Sequence, residues 1–271
     1  MKIAIFGDSY GSEKELFKVA GLGKIRHNEA RPWVEIFREL AIKNGLARTV
    51  VNYSLSGSSM YYSYDRYLRH CDEYDRVIFI CTVGNRLTKM PPYKENDNYD
   101  YDDAWVCSNY EHAIMYQKSP DISEEYRKFL KSAVTYYSYI HDPIQDSRMW
   151  DLMFNRIRSD TRTFLMQSMD VPRHIGNTLY NITREEEKVY DGNRSYLDRM
   201  SEGIVDMRYN HITGDNNLIL ANDVFQQFVA GERMFTLDIN KYSFDQSHIM
   251  SHFIHNSHYE KKHNILKKYF F

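Results

Sequence analysis

Cysteine, proline and glycine are all scarce in this chain of 271 residues, with 3, 6 and 12 copies. The three cysteines, Cys71, Cys81 and Cys107, are odd in number and lack the spacing of a metal site. A disulfide framework is therefore not expected, and cysteine spacing predicts no metal site. Because Cys81 lies within an apolar run, we interpret it as a small core residue.

Long apolar runs and an excess of one charge are also absent. No stretch approaches the roughly 18 apolar residues of a membrane span, and the first apolar run follows Lys2 so closely that no room remains for a signal peptide. We therefore expect a cytoplasmic chain without membrane contact. The 35 basic and 37 acidic residues are mixed along the chain and give a formal net charge of -2, which predicts no nucleic-acid partner.

Tyrosine and histidine, in contrast, are abundant, with 23 and 11 residues. Many tyrosines lie between residues 93 and 139, where their rings either stack on a sugar or pack against the protein. Packing is the favoured interpretation, because tyrosine suits half-buried surfaces in general. The composition rich in Asn, Tyr and Lys is typical of a virus-encoded protein or of one encoded by an AT-rich genome, and association with a virion is an open alternative to the cytoplasm.

The first third of the sequence alternates between strand and helix patterns. Apolar runs at 3–6, 49–52 and 76–83 predict strands, the last of them buried on both faces. Between the first two, residues 32–44 predict an amphipathic helix that ends at Gly45. This alternation favours a parallel sheet with right-handed crossovers.

The middle of the sequence has a different character. Residues 90–110 are rich in Pro, Tyr, Asn and Asp and predict a surface loop, whereas 121–170 has helical periodicity interrupted at Pro143. We interpret 90–210 as a mostly helical insertion or cap within a single domain that spans 1–271.

The end of the sequence adds a predicted strand at Leu218–Ala221 and a predicted closing helix at 249–270. Four histidines at or beside that helix are spaced for one of its faces: His248, His252, His255 and His258. Such a stripe either holds a metal ion or is a solvated polar face. No cysteine pair or paired acid joins it at ligand spacing, so no metal site is predicted.

Ser9 is the most informative residue of the chain. It follows Gly7 and Asp8 directly after the apolar run Ile3–Phe6, so it lies on the turn that leaves the carboxyl end of a buried strand. Open α/β sheets bind ligands at this edge, and Gly7 permits the tight turn that presents a nucleophile there. The alternative is an ordinary turn, because Gly, Asp and Ser are common turn formers. In either case Asp8 is expected to bond backbone N–H groups and hold the loop, with no catalytic part.

Four short blocks occur in order along the chain, each at a position expected for a loop: Gly7-Asp8-Ser9-Tyr10, Asn52-Tyr53-Ser54-Leu55-Ser56-Gly57-Ser58, Gly84-Asn85 and Asp245-Gln246-Ser247-His248. In this order they resemble the blocks of SGNH hydrolases, the GDSL esterase/lipase superfamily. The resemblance covers the first 89 residues and residues 240–270. It implies a three-layer α/β/α sandwich with a mostly parallel, flavodoxin-like sheet and a helical insertion.

The resemblance assigns a role to each block. Ser9 corresponds to the nucleophile, His248 to its general base and Asp245 to the carboxylate that orients the base. The backbone N–H groups of Ser9 and Gly57 and the side chain of Asn85 correspond to the oxyanion hole. Acyl transfer by a serine needs each of these groups, and it needs no metal or organic cofactor.

The third block departs from the family pattern Gly-x-Asn-Asp, because Val83 replaces its first glycine and Arg86 replaces its aspartate. Arg86 either binds a substrate carboxylate or phosphate at the crevice or forms an ordinary ion pair, and the ion pair is favoured. Asn52, from the second block, is a further expected substrate-binding residue.

The expected activity is that of a serine esterase or deacylase acting on a small acyl ester, for which an O-acetylated carbohydrate is the example. Two alternatives stay open. An O-acyltransferase uses the same triad, and a non-catalytic binding or structural protein retains the same fold. The acyl group, the acceptor and the oligomeric state are not predicted.

Overall fold

The computed structural model describes residues 1–12, 18–19, 23–24, 31–55, 57–84, 86–89, 105–107, 110, 113–114, 117–118, 123–169, 178–191, 212 and 214–244. Its strands are β1 (Lys2–Phe6), β2 (Lys18–Val19), β3 (Gly23–Lys24), β4 (Thr49–Asn52), β5 (Arg76–Cys81), β6 (Leu87–Lys89), β7 (Trp105–Cys107) and β8 (Thr163–Gln167). Its helices are α1 (Trp33–Lys43), α2 (Met60–His70), α3 (Glu124–Thr135), α4 (Pro143–Ser159), α5 (Tyr180–Asp191) and α6 (Gly214–Val229), with a π-helical turn at Tyr136–Ile140 and 3-10 turns at Cys71–Glu73 and Ile239–Lys241.

The central sheet is parallel, with its strands in the order β4, β1, β5, β8. Numbered among themselves these strands run 2-1-3-4, which is the beginning of the flavodoxin-like order. Beside β8, Met234 forms an isolated parallel bridge to Leu165, and Phe235 N–H donates to Leu165 O over 2.8 Å. The α/β class and the parallel sheet predicted from the sequence are confirmed.

Helices cover both faces of the sheet. Side chains of successive strand residues point to opposite faces, so Ile3 and Ile5 pack with α1, α5 and α6, whereas Ala4 and Phe6 pack with α2 and α4. All four side chains are fully buried, and burial of an Ile or Phe side chain stabilises the fold by about 1.5–3 kcal/mol. The result is the expected three-layer sandwich. None of the described helices is both long and apolar enough to cross a membrane.

Helix α1 confirms the helix predicted over 32–44. Trp33, Phe37 and Ala41 recur every four residues and are fully buried, which places them on one stripe of the helix. Pro32 caps the N-terminus, where its missing N–H leaves no helical hydrogen bond unmade. Gly45 has a φ of 70°, the left-handed conformation that commonly ends a helix.

The strand predicted at Leu218–Ala221 is wrong, because these residues lie inside α6. The apolar pattern continues at helical spacing through the next two turns, where Val224 and Phe228 are buried together with Leu220. This longer period outweighs the short apolar run that suggested a strand.

Part of the range 90–210, expected as an insertion, belongs to the central layers. β8 is a strand of the sheet and pairs with β5 from Thr163 to Gln167, although the helical periodicity of 121–170 did not predict it. Helix α4 begins at Pro143, where a break was predicted, and packs Trp150 against the sheet. The predicted closing helix and the histidine stripe lie outside the described residues.

The cysteines are free and buried. Burial raises the pKa of the Cys81 thiol, and the nearby Asp8 carboxylate raises it further. Cys81 is therefore a neutral core residue, as the sequence predicted.

Asp160, which ends α4, accepts hydrogen bonds from two residues, Arg162 and Tyr67. Arg162 Nη2 lies 2.9 Å and Tyr67 Oη lies 2.7 Å from Asp160 Oδ2. Partial burial raises the pKa of Asp160, but the hydrogen bonds from Arg162 and Tyr67 outweigh this effect and hold the pKa at about 2. The carboxylate therefore stays charged in the folded protein well below the pH at which it is protonated in the unfolded chain.

We expect Asp160 to contribute stability that is lost in acid. Because its folded pKa is depressed, the contribution is complete above the unfolded pKa of about 3.9 and disappears as the pH falls toward 2. Asp160→Asn should lower the urea midpoint at neutral pH and flatten its dependence between about pH 5 and pH 2. Asp72→Asn is the control, because Asp72 also pairs with Arg162, over 3.2 Å, but is 91% exposed. Identical pH profiles for the wild type and Asp160→Asn would contradict this role.

Candidate functional site

Ser9 lies in a turn that leaves the carboxyl end of β1. Gly11 N–H donates to Asp8 O over 3.0 Å, and Ser12 N–H donates to Ser9 O over 3.4 Å. The turn is buried, and Ser9 is 5% exposed. It stands at the edge where parallel sheets of this order bind ligands.

Tyr10 anchors this turn to the helices on one face of the sheet. Trp33 Nε1 donates to Tyr10 O over 2.5 Å, and the Tyr10 hydroxyl lies 3.1 Å from Thr183 Oγ1. Because Tyr10 and Trp33 are fully buried, these bonds are shielded from competition with water. The backbone next to Ser9 is thus fixed by α1 and α5.

Gly7 and Gly11 bring the turn into close contact with β5. A Cβ atom at Gly7 would lie 2.7 Å from Ile80 Cβ, and one at Gly11 would lie 2.5 Å from both Ile80 Cδ1 and Ser54 Oγ. Carbon atoms in good contact are about 3.5–4.0 Å apart. Only glycine allows this approach at either position.

Gly7→Ala is therefore expected to destabilise the protein by about 1–3 kcal/mol, the usual cost of an extra methyl group in a packed core. Gly84→Ala is the matched control, because its Cβ would meet nothing nearer than Trp150 Cδ1 at 3.7 Å. Urea unfolding of the two variants measures the difference. Equal unfolding free energies would contradict the close approach at Gly7.

Asp8 accepts hydrogen bonds from the ends of three neighbouring strands and is completely buried. Its Oδ1 accepts from Tyr10 N–H over 3.1 Å, which confirms the predicted bond to a backbone N–H. Its Oδ2 accepts from Thr82 Oγ1 at 2.7 Å, Ser168 Oγ at 3.0 Å and Arg86 Nη1 at 3.1 Å. One carboxylate thereby links the loops that follow β1, β5 and β8.

Arg86 forms the ion pair favoured by the sequence. It is 8% exposed, and Nη1 bonds both Asp8 Oδ2 and, over 3.3 Å, the carbonyl oxygen of Ser58. Its Nη2 lies 3.1 Å from Met169 Sδ. The guanidinium therefore connects Asp8 to the loop after β4 as well.

The second block packs against the Ser9 turn. Asn52 Nδ2 donates to Gly11 O over 2.7 Å, and Asn52 Oδ1 accepts from Ser54 N–H over 2.9 Å. Leu55 N–H donates to Gly7 O over 3.0 Å. Gly57 has a φ of 73°, a conformation that glycine adopts without steric cost. The Gly57 loop is thus attached to the turn that carries Ser9.

Three of the predicted site residues, Asn85, Asp245 and His248, lie outside the described residues. Ser9, Gly57 and Arg86 lie within them, on loops at the carboxyl edge of the sheet, and Asn52 is the last residue of β4 at the same edge. In the described ranges, no three His, Cys, Asp or Glu side chains are grouped so as to hold a metal ion.

Thr82 and Ser168, which donate to Asp8, were not among the site residues predicted from the sequence. Each directly follows the last residue of a buried strand: Thr82 follows β5, and Ser168 follows β8. A hydroxyl residue close behind a buried strand is the signal that they share with Ser9. It could not be applied to them, because Thr82 lies inside the predicted strand 76–83 and β8 was not predicted as a strand.

No protein-family model matches the chain, and no curated protein matches it in sequence. Among solved structures, it is similar to the crystal structure of an acetyl xylan esterase, AlAXEase. The identity is 12%, the match covers 85% of this chain and 99% of that chain, and the TM-score is 0.31. The function proposed below rests on the residues of this chain.

Proposed function

We propose that this protein is a serine esterase that hydrolyses a small acyl ester, with Ser9 as the nucleophile. The observation that carries the proposal is the position of Ser9 in a rigid turn at the carboxyl edge of β1, directly beside the Gly57 loop. A nucleophile needs N–H donors near it to stabilise an oxyanion. The bonds from Asn52 and Leu55 to the Ser9 turn hold a suitable loop at that place.

In the proposed reaction, His248 takes the proton of Ser9 while the Ser9 oxygen attacks the ester carbonyl. The N–H groups of Ser9 and Gly57 and the Asn85 amide bind the oxyanion of the tetrahedral intermediate. His248 then gives the proton to the departing alcohol, which leaves an acyl-Ser9 ester. Water deprotonated by His248 attacks this ester and releases the carboxylic acid and free Ser9. Asp245 orients His248 throughout.

Support for the base comes from the described chain that precedes Asp245. Ser243 exchanges two hydrogen bonds with Asn216, each 2.8 Å long. The next residue of α6, Asn217, accepts from Trp33 N–H over 2.9 Å, and Trp33 also bonds Tyr10, which follows Ser9. The chain two residues before Asp245 is therefore connected, through α6 and α1, to the residue that follows Ser9.

The proposed substrate is an acetyl or similarly short acyl ester of a small alcohol or carbohydrate. The first experiment is labelling of the purified protein with a fluorophosphonate, followed by mass spectrometry to locate the modified residue. We expect the phosphonyl group on Ser9, together with hydrolysis of short-chain 4-nitrophenyl esters.

Adding a sugar to the ester assay distinguishes hydrolysis from acyl transfer. Release of free acid at an unchanged rate supports an esterase, whereas formation of an acyl sugar faster than free acid identifies an O-acyltransferase with the same nucleophile. A folded protein that neither reacts with the fluorophosphonate nor cleaves any ester would overturn the proposal in favour of a binding module.

A further inference from the structure

A histidine–carboxylate pair that was not predicted from the sequence lies beside the candidate site. His141 Nε2 is 2.7 Å from Asp146 Oδ2, and the Tyr61 hydroxyl donates to Asp146 Oδ1 over 3.1 Å. Burial raises the pKa of Tyr61, and Asp146 raises it further, so the hydroxyl stays protonated and keeps donating. Both oxygens of Asp146 are thereby engaged, and the carboxylate is fixed.

His141 is held in one orientation yet remains accessible. It lies between the π-helical turn and α4, and its backbone N–H donates to Tyr136 O over 2.8 Å. The rings of Tyr136 and Tyr137 flank the imidazole with centroids 5.7 Å away. His141 is nevertheless 17% exposed. An oriented imidazole with solvent access is able to meet a ligand without rearrangement.

The pair borders the two loops proposed to carry the oxyanion donors. Tyr61 lies in the first turn of α2, four residues after Gly57. A Cβ atom at Gly84, the residue before Asn85, would lie 3.8 Å from Asp146 O and 3.9 Å from Tyr61 Cε2. An ester bound beside Gly84 would therefore have one of its substituents next to this pair.

We infer that His141 binds a hydroxyl group on the alcohol portion of the substrate and so selects polyhydroxylated esters such as sugar acetates. In the neutral imidazole, the bond to Asp146 places the proton on Nε2 and leaves Nδ1 to accept from a substrate O–H. Asp146 and Tyr61 act as positioning residues for His141. The inference rests on the proposed esterase function, because it locates the pair relative to the bound ester.

The kinetic test compares two substrates that differ in hydroxyl groups. His141→Gln should raise KM for an acetylated methyl glucoside about tenfold, the effect of one lost hydrogen bond in a specific site. The kcat for this substrate, and both constants for 4-nitrophenyl acetate, should stay unchanged. A contact that is equally strong in the ground state and in the transition state affects KM alone. Asp146→Asn should reproduce this pattern in part.

His70→Gln is the matched control. His70 is also 17% exposed and pairs with a carboxylate, Glu73 Oε1, over 3.1 Å. It lies nine residues beyond Tyr61 at the other end of α2, about 13 Å along the helix axis. Its replacement should change neither constant for either substrate. An equal KM change for both substrates, or a loss of kcat in His141→Gln, would overturn the proposed role.

An NMR titration separates this inference from the esterase proposal. Methyl glucoside carries hydroxyl groups but no ester, so it binds without reacting. Saturable shifts of the His141 imidazole nitrogens, with no shift at His70, are expected in the wild-type protein. If His141 does not respond, the hydroxyl site is refuted whether or not the protein cleaves esters. If it responds while no ester is cleaved, only the esterase proposal fails.

Discussion

Replacing Ser9 with alanine is expected to lower kcat for short-chain esters by about 10³- to 10⁶-fold, as loss of a serine nucleophile does in other hydrolases. The reason is that the acyl-enzyme route disappears with the Ser9 oxygen. The oxyanion donors and the binding contacts stay in place, so a small residual rate above the uncatalysed reaction should persist. The measurement is steady-state hydrolysis of 4-nitrophenyl esters by both proteins.

Ser9→Ala removes a single oxygen atom and leaves the surrounding turn intact. Its Asp8–Gly11 backbone bond and the Tyr10 anchors involve no atom of the Ser9 side chain. We therefore expect the urea midpoint to stay close to that of the wild type, and KM to change little. This combination distinguishes a nucleophile from a residue that only supports the fold.

Ser12→Ala is the matched control for Ser9→Ala. Ser12 is buried in the same segment, three residues further along, but the proposal gives it no part in the reaction. Ser12→Ala should retain both fluorophosphonate labelling and turnover. If Ser9→Ala keeps its activity while Ser12→Ala loses it, the nucleophile has been assigned to the wrong serine.

Local patterns predicted the elements whose side chains repeat within a few residues. Trp33, Phe37 and Ala41 define α1, and the run from Ile3 to Phe6 defines β1 and so the position of Ser9. The same approach failed at Leu218–Ala221, because four apolar residues fit a buried strand as well as one turn of an amphipathic helix. The burial of Val224 and Phe228, one and two turns later, decides between them.

The side-chain donors of Asp8 could not be identified from the sequence, for a physical reason. Its donors Thr82, Arg86 and Ser168 are 74, 78 and 160 residues away in the sequence. No local period links such residues, and only the strand order brings their loops together. The same holds for Tyr61 and Asp146, which are 85 residues apart.

The buried Asp8 carboxylate is expected to be essential to stability. Asp8→Asn keeps the side-chain volume but leaves the Arg86 guanidinium buried without its carboxylate, and such a broken pair typically costs about 3–5 kcal/mol. The added amide group also faces the hydroxyls of Thr82 and Ser168, which donate to Oδ2 in the wild type. Urea unfolding should show a loss of this size.

Arg86→Met is expected to cost less, about 1–3 kcal/mol. Without Arg86, the Asp8 carboxylate still accepts hydrogen bonds from Tyr10 N–H, Thr82 and Ser168. These bonds continue to stabilise its negative charge. Besides Asp8, Arg86 bonds Ser58 O and lies against Met169 Sδ, neither of which carries a charge. Removing Asp8 therefore leaves a buried cation without an anionic partner, whereas removing Arg86 leaves a buried carboxylate that still accepts hydrogen bonds.

The exposed pair of Arg69 and Asp65 is the control for these variants. Its 2.9 Å separation is shorter than that of the buried pair, but both side chains are about half exposed. Asp65→Asn should cost no more than about 0.5 kcal/mol, as is usual for solvated pairs one helical turn apart. Comparable losses for Asp65→Asn and Asp8→Asn would contradict the importance of burial.

A double-mutant cycle completes the test and allows for a single variant that does not fold. Asp8→Asn combined with Arg86→Met removes both charges, so no uncompensated ion stays buried. The double variant should therefore lose less stability than the sum of the two single losses, and it should be recovered folded even if Asp8→Asn is not. Strict additivity would mean that Asp8 stabilises the loops through the Thr82 and Ser168 hydroxyls alone, and that the ion pair with Arg86 contributes nothing.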